Sequence, residues 1–560
     1  MNGMIPVIDL FAGPGGLCEG FSAPIGEMPR FQPVLSIEKD ATAHRTLKLR
    51  AFVHWFSFAG KRIPDEYYRY VRGEIDRKVF WNAAQRKYAD AAQYAERTAW
   101  CATLGGNEVS EEEFDRRIAE VLCGEMNWVL IGGPPCQAYS LAGRSRSVGG
   151  IRKKGHMSFE KAVAKFGKDE RQTLYRQYLR ILAVHKPAVF VMENVAGILS
   201  ARVNGEKIFP KIVSDLSRPV KSAREDWSEL ADNRHLRYRI FSFETGREPT
   251  NDHLEDYLIR AERHGVPQAR HRVILLGIRS DFAGRMKSVP RLVDRSSVGV
   301  AAAIGDLPAM RSHVSRGMGD SDSAWAALLT FVADSKTSYW KEGFEDVRKV
   351  AMESAQMAAK THGISRASMK TKNPGVEMPE ALRQWYRGDG QLHGVLNHAP
   401  RGHMASDLER YLFVAAFGAA RGRSPVLRDF PQALLPAHRN VLKPGAKGDQ
   451  AFADRFKVQL ADRPSSTVTC HIAKDGHHFI HYDASQCRSL TVREAARLQT
   501  FPDNYFFEGN QTEQYHQVGN AVPPFLAAQL ADIVKTIFDH QSQCVSGKQS
   551  KSGTSRRTST

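Results

Sequence analysis

The chain has 560 residues, 42% apolar and 25% charged, the composition of a folded globular protein and a length for two or three domains. It has no unbroken apolar stretch of the ~18 residues a membrane span needs and no secretory pattern in its first twenty residues, while seven cysteines without a C-x-x-C pair argue against a disulfide scaffold or zinc ribbon and for a reduced, intracellular protein. Lys and Arg outnumber Asp and Glu by 79 to 61, a formal charge of +18, which favours a polyanionic partner, most simply nucleic acid.

Residues 4–11 (MIPVIDLF) read as a buried parallel strand that runs into a Gly-rich turn and a helix. Residues 33–38 (PVLSIE) are a second strand, ending on an acid, with a helix from Ala41. Residues 51–127 start apolar and continue as a charged stretch whose 11 basic and 13 acidic side chains nearly cancel. That pattern predicts an inserted helical element with a solvated surface. Residues 127–131 (NWVLI) form another buried strand, opening into GGPPC. The polar segment 137–168 reads as a long mobile loop, residues 171–185 as a helix, and 187–192 (PAVFVM) and 272–278 (RVILLGI) as further strands. Strands alternating with helices over 1–280 predict an α/β domain with a mostly parallel sheet. From 281 to about 455 the strand pattern fades, which marks a second, smaller domain. Over 456–540 order returns, with helices expected at 491–499 and 525–540, and 541–560 reads as a disordered basic tail.

Chemistry-bearing residues gather at strand ends, where α/β proteins place ligands. In DLFAGPGGLCEGF, residues 9–21, glycines let the backbone turn tightly and approach a ligand. Glu38, ending the next strand, is placed to accept ribose hydroxyls. No P-loop or G-x-G-x-x-G is matched, and such a turn alone is also compatible with a plain tight turn. In GGPPCQAYS, residues 132–140, Cys136 sits on a turn stiffened by two prolines. A thiol there is a nucleophile if its pKa is lowered and a small buried hydrophobe otherwise. In MENV, Glu193 ends an apolar strand, where an unpaired carboxylate is costly; its use would be a carboxyl that donates a hydrogen bond or proton. In QARHR, residues 268–272, Arg270 and Arg272 are expected to project to the same side at strand spacing and to hold an anion or a carboxylate.

In this order, and joined by RSLTVREAARLQTFPD and QVGNAVPP between residues 488 and 524, these blocks closely resemble the cytosine-5 DNA methyltransferase family of bacterial and phage type. The resemblance implies a Rossmann-like, S-adenosylmethionine-dependent methyltransferase domain with a mixed, mostly parallel sheet, and a smaller target-recognition domain inserted at 281–455. It implies that the C-terminal segment folds back beside the first Gly-rich turn. Phe11, Gly13 and Gly16 would line the S-adenosyl-L-methionine pocket, with Phe11 against the adenine and Glu38 on the ribose. Asn520 and Val522 would return to that pocket, and Pro135 would touch the methyl donor or the flipped base. Cys136 would be the nucleophile, Glu193 would hold the cytosine edge, and Arg270 and Arg272 would support the catalytic pocket. Gln137, Ser140, Arg144 and Arg146, in the polar loop, are the candidate DNA contacts. No metal is called for.

The chain also departs from the family pattern. The family often has an acid on the adenine; Glu108 and Asp115 are candidates and neither is assigned. Lys39 stands where many members have Trp. His471, His477, His478 and His481, near Cys470, fit no zinc spacing and are expected in an extended, solvated segment. The expected function is methylation of a flipped-out cytosine in a specific double-stranded DNA sequence. The setting expected is a monomer in the prokaryotic cytoplasm, nucleoid-associated, not at a membrane. A restriction–modification or other defence role follows, with a cognate restriction endonuclease or other defence component as partner. The alternatives are a tRNA cytosine-5 methyltransferase, a branch without so large a recognition domain, and a non-catalytic DNA-binding homologue, which an intact Cys136, Glu193 and Arg270 speak against. The charge is divided unevenly: residues 136–168 carry +7, 281–450 carry +7, 541–560 carry +4, and the rest nets to zero. The excess lies on the segments expected to face phosphates.

Overall fold

The computed structural model describes residues 3–25, 28–106, 108–135, 170–203, 205–222, 235–316, 319–334, 340, 342–358, 377–387, 391–436 and 454–552. Cys136, Gln137, Ser140, Arg144 and Arg146, with the loop expected at 137–168, lie outside the described residues.

Among the described residues the apolar runs form a central sheet of eight strands: β1 (Ile5–Leu10), β2 (Phe31–Glu38), β3 (Ala99–Cys101), β4 (Val129–Gly132), β5 (Val189–Val195), β6 (Tyr238–Ser242), β7 (Leu258–Arg260) and β8 (His271–Arg279). Their order is β6–β8–β5–β4–β1–β2–β3, with β7 also pairing with β8. From β5 to β3 every neighbour is parallel, whereas β8 is antiparallel to β5, β6 and β7. Alternate residues therefore feed two buried faces. Val7, Val129, Ile131 and Val191 point to one face, and Ile8, Leu10, Leu130 and Phe190 to the other.

The helices that bear on the site are α1 (Gly16–Ser22), α2 (Ala41–Phe58), α3 (Asp65–Val71), α4 (Val492–Leu498), α5 (Gln511–Asn520) and α6 (Pro524–Ser552). On the first face α1 and α6 pack together through Leu17, Phe21, Leu526, Leu530 and Val534. Helices Glu111–Leu122 and Glu170–His185 cover the second face. Among the described residues one stretch, Gln511–Ser542, is long and apolar enough to cross a membrane by composition, and 72% of its most apolar window is buried inside the protein. From Val522 onward its apolar side chains cover the sheet, and those of Tyr515 and Val518 pack on α4.

Three expectations change. The stretch 51–127 is not a single insert: β3 pairs with β2, Ser36 opposite Ala99 and Glu38 opposite Cys101, and Glu111–Leu122 covers the second face. The added part comprises α3 with Arg77–Lys87 and Ala89–Thr98, packed on α2 around Phe52, Tyr67 and Phe80. The second hydrophobic core, built on helices Asp322–Asp334, Glu345–Ala358 and Ala405–Arg421, draws residues from Val314 to Cys487. It thus takes Phe456, Val458 and Ile480 from beyond the expected boundary. Val300–Ile304, within 281–455, packs instead on α4 and α5. Finally α6 runs to Ser552, past the residue 541 at which a disordered tail was expected.

Candidate active site

The parallel strands β1, β2, β4 and β5 all end at one edge of the sheet, and antiparallel β8 begins there. In an open α/β sheet the crevice outside the carboxyl ends of the strands is the ligand position. This edge collects Phe11, Glu38, Pro135, Glu193 and Arg272.

After β1 the chain turns through Phe11 at φ 57° and Gly13 at φ 56°. The left-handed conformation is unstrained for Gly13 but costs about 1–3 kcal/mol for a bulky residue such as Phe11. Glu38, leaving β2, braces the turn: the Gly13 N–H donates to its Oε2 at 2.8 Å and the Asp40 N–H to its Oε1 at 2.8 Å. Each oxygen retains a further lone pair for a ligand hydroxyl. A Cβ on Gly13 would meet nothing within 4 Å, so this side of the turn is open. Gly16 is the reverse case, since a Cβ there would lie 2.2 Å from the Val522 carbonyl oxygen. The segment after α5 is thus seated directly on the start of α1. Val522 is nearly buried at this contact, whereas Asn520, the last residue of α5, is exposed.

At the end of β4 the chain enters Gly132–Pro135 and approaches Glu193. A Cβ on Gly133 would come within 2.8 Å of Glu193 Oε2, and Asn194 Nδ2 donates to the Pro134 carbonyl at 3.5 Å. The other Glu193 oxygen, Oε1, lies 2.8 Å from Arg272 Nε, both side chains being 14% exposed. The register explains the pairing: Glu193 is opposite Ile274 and Arg272 opposite Val195, so the two are diagonal neighbours on one face.

Arg270 does not share that position. The strand is interrupted at Arg270, between Gln268–Ala269 and β8, so the two arginines are not at continuous strand spacing. Arg270 is buried and donates from Nη1 to the Val468 carbonyl at 2.8 Å and from Nη2 to the Gly519 carbonyl at 3.5 Å. It ties the sheet edge to the returning C-terminal segment, and the carboxylate of Glu193 is met by Arg272.

The two candidate acids for the adenine separate. Asp115 accepts from Arg180 Nη1 at 3.0 Å and pairs with His185 Nε2 at 2.8 Å on the second face, away from the sheet edge. Glu108 is exposed. It lies close enough to β3 that the Cys101 thiol, raised first by burial, is raised further by Glu38, Asp40 and Glu108. Lys39 is exposed beside Glu38.

The histidine segment is packed rather than solvated. His481 is buried and 3.6 Å from Glu494. His477 Nδ1 lies 2.8 Å from the Tyr411 hydroxyl, with its ring against Phe456. His477 is thus satisfied within the second core and its ring fills that core's edge, while Nδ1 of His481 accepts from the Asp483 N–H at 3.0 Å. Among the described residues no group of three or more His, Cys, Asp or Glu is arranged to hold a metal.

The sequence assigns no role to Asp9 or Gln268. Asp9, in β1, is 1% exposed, and among the described residues neither carboxylate oxygen has a hydrogen-bond partner of good geometry, the Cys18 backbone being a weak contact. Burial, and then the nearby charge of Glu38, hold its carboxyl well above the usual range. An acid inside IPVIDL was a legible signal. Gln268 donates to the Leu498 carbonyl at 3.0 Å and accepts from the Val468 N–H at 2.8 Å. Its partners are 200 or more residues away, and no local pattern announces them.

The C-5 cytosine-specific DNA methylase family model matches residues 101–218 and 253–536. Type II methyltransferase M.Bpa9945I of Bacillus paralicheniformis is 31% identical over 553 residues, 95% of this chain and 99% of that one. Type II methyltransferase M.AgeI of Thalassovita gelatinovora and the DNA (cytosine-5-)-methyltransferase M.ApeKI of Aeropyrum pernix are each 27% identical, over 73% of this chain and 82% and 81% of theirs. With the sheet edge assembled as described, the chain belongs to the C-5 cytosine-specific DNA methylase family and is a DNA (cytosine-5-)-methyltransferase.

Proposed function

We propose that this enzyme transfers a methyl group from S-adenosyl-L-methionine to carbon 5 of a flipped-out cytosine in a specific double-stranded DNA sequence, through a covalent adduct with Cys136. The observation that carries the proposal is the Glu193–Arg272 pair, set against Gly133 of the GGPPC turn at the sheet edge that also bears the braced Gly-rich turn.

The open side of Gly13 and the half-buried Glu38 carboxylate fit a nucleoside with free ribose hydroxyls. Phe11, Gly16 and Val522 would complete that pocket, with Pro135 and Asn520 at its rim. Bound S-adenosyl-L-methionine supplies an electrophilic methyl group on a sulfonium. Carbon 5 of cytosine is too weak a nucleophile to take it unaided. The Cys136 thiolate forms a bond to carbon 6, while Glu193 donates a hydrogen bond or proton at ring nitrogen 3, so that the ring becomes enamine-like at carbon 5. Carbon 5 takes the methyl group and leaves the donor a neutral thioether. The proton at carbon 5 then leaves to a base, the sulfur–carbon 6 bond breaks to return the thiolate, and any proton at ring nitrogen 3 goes back to Glu193. Arg272 holds the Glu193 carboxyl in position. Base stacking forbids this approach, so the cytosine has to leave the helix at a cost of a few kcal/mol. Gln137, Ser140, Arg144 and Arg146 contact the DNA, in a stretch with a large share of the excess positive charge.

The enzyme acts in the cytoplasm on nucleoid DNA as a monomer, with a role in restriction–modification or another prokaryotic defence system and a cognate endonuclease or other defence component as partner. Transfer of tritiated methyl from S-adenosyl-L-methionine to duplex DNA is the test. The wild-type chain labels DNA, and Cys136→Ser binds the same DNA without labelling it. Labelling by Cys136→Ser would remove the covalent mechanism, and labelling of tRNA in place of DNA would replace the substrate.

A further inference from the structure

Where Gly13 faces open space, Gly15 does not: a Cβ there would meet Leu47 Cδ2 at 2.8 Å and the Tyr505 hydroxyl at 3.2 Å. That hydroxyl donates to the carbonyl of Pro14. The catalytic chemistry above uses none of what lies behind it. Tyr505 is fully buried, and burial first, then the charge of Glu19, keeps its phenol protonated and hence a donor. The Arg50 guanidinium of α2 sits 4.9 Å from the centre of the Tyr505 ring. Its Nε and Nη2 donate to the two oxygens of Glu19 in α1, at 2.8 and 2.5 Å, and His54 Nε2 lies 2.9 Å from the same carboxylate. Burial alone would raise the Glu19 carboxyl, but Arg50 and His54 bring it down to about 2. The added helices join from the other side: the Tyr67 hydroxyl of α3 donates to the Asn504 carbonyl at 2.9 Å, and Arg50 Nη1 reaches the same oxygen at 3.5 Å. Tyr70, also in α3, donates to Glu508 Oε1 at 2.7 Å.

Ring packing and the hydroxyl serve separate ends. The Tyr505 ring stands among Phe501 and Phe507, with centroids 4.8 and 5.2 Å away, and a phenylalanine would keep those contacts. The hydroxyl acts on the turn. Pro14 is buried, and a buried carbonyl left without a donor disfavours the conformation that leaves it so.

We propose that Tyr505 is a positioning residue for methyl-donor binding. It fixes the Pro14 carbonyl and so the shape of the Gly13–Gly15 turn, and it is itself held by Arg50 and, through the Asn504 backbone, by Tyr67 of the added helices. This rests on the reading that the turn receives S-adenosyl-L-methionine. The added helices thereby brace the returning segment from outside, so that one hydroxyl meets the turn.

The test uses the full-length chain, with equilibrium dialysis against labelled S-adenosyl-L-methionine and steady-state methylation of duplex DNA. Tyr505→Phe raises both the donor Kd and the donor KM by about tenfold, the loss of one buried hydrogen bond. It leaves kcat within about twofold, because the reacting groups are untouched, and leaves the DNA KM and the melting temperature near wild type. Tyr67→Phe shifts the same two constants in the same direction by about threefold, being one link further away. Unchanged donor constants in Tyr505→Phe overturn the proposal, as does a parallel loss of kcat, DNA affinity and melting temperature, which would mark a merely structural role. A wild-type chain that binds no donor overturns the reading of the turn itself, a separate result seen before any variant is made.

Discussion

Two Glu–Arg pairs in this molecule differ in geometry and in what they leave over: one is a single contact at a cleft, the other a two-armed bridge in the core. At the sheet edge, Glu193 and Arg272 meet at 2.8 Å, each 14% exposed, with the second carboxylate oxygen turned toward the GGPPC turn. At the start of α4, Glu494 and Arg488 are each 1% exposed. There Nη1 and Nη2 of Arg488 donate to the two Glu494 oxygens at 2.6 Å each, and the Thr491 N–H donates to one of those oxygens at 2.7 Å as part of a capping box. The remaining Arg488 donors reach Met310, Ser489 and Gln486. Burial would raise the Glu494 carboxyl, yet Arg488 and the neighbouring histidines hold it well below its usual range. A pair with every donor and acceptor in use joins parts of the fold. A pair with an oxygen in reserve at a cleft can meet a substrate.

Substituting each glutamate separates the two roles. Glu193→Gln keeps the shape and removes the acid. It is expected to lower kcat by roughly a hundred- to a thousandfold, the usual worth of a positioned acid, while moving the melting temperature little; methyl-transfer kinetics and thermal unfolding report both. Glu494→Gln leaves Arg488 buried without its counter-charge and is expected to cost about 3 kcal/mol or more of stability, with kcat per folded molecule unchanged. Equal effects of the two substitutions on both quantities would erase the distinction.

A smaller effect sharpens it. Around the Glu494 pair, burial holds His398 and His481 at about 4 and His403 at about 3. The His398 ring bonds to Thr491 and the Pro308 carbonyl, and the His403 ring to Ser489. In the unfolded chain these histidines titrate near 6.5. From about pH 6.5 down to about 4 the unfolded state therefore binds protons that the native state refuses. Stability present at neutral pH is lost as pH falls, by about 1 kcal/mol per pH unit for each histidine. Thermal melts from pH 7.5 to 5 would show a falling midpoint, and a flat one would mean that these histidines are not buried neutral.

The same contrast explains what could be read from the residues. β1, β2, β4, β5 and β8 are buried on both faces, so each is a continuous apolar run that stands out, and Glu38 and Glu193 stand out because an acid ends such a run. β3 has three residues and an exposed end at Cys101, too little for a pattern. Ala405–Arg421 is buried at Leu408 and from Tyr411 through Gly418, so no polar stripe remains to give a helical period. The histidine segment looks solvated because its residue types are polar, but their partners come from other parts of the chain. Tyr505 and Arg50 were illegible for a related reason: Pro14 and Glu19 lie 491 and 31 residues from them, and only folding sets those groups in contact.

The most direct measurement is to express the gene in a host free of cytosine methylation and to sequence 5-methylcytosine across its DNA. Wild-type protein is predicted to place 5-methylcytosine at one recurring sequence, and Cys136→Ser to place none. Unmodified cytosine with a folded wild-type protein, or methylation by Cys136→Ser, would contradict a cytosine-5 methyltransferase that works through Cys136.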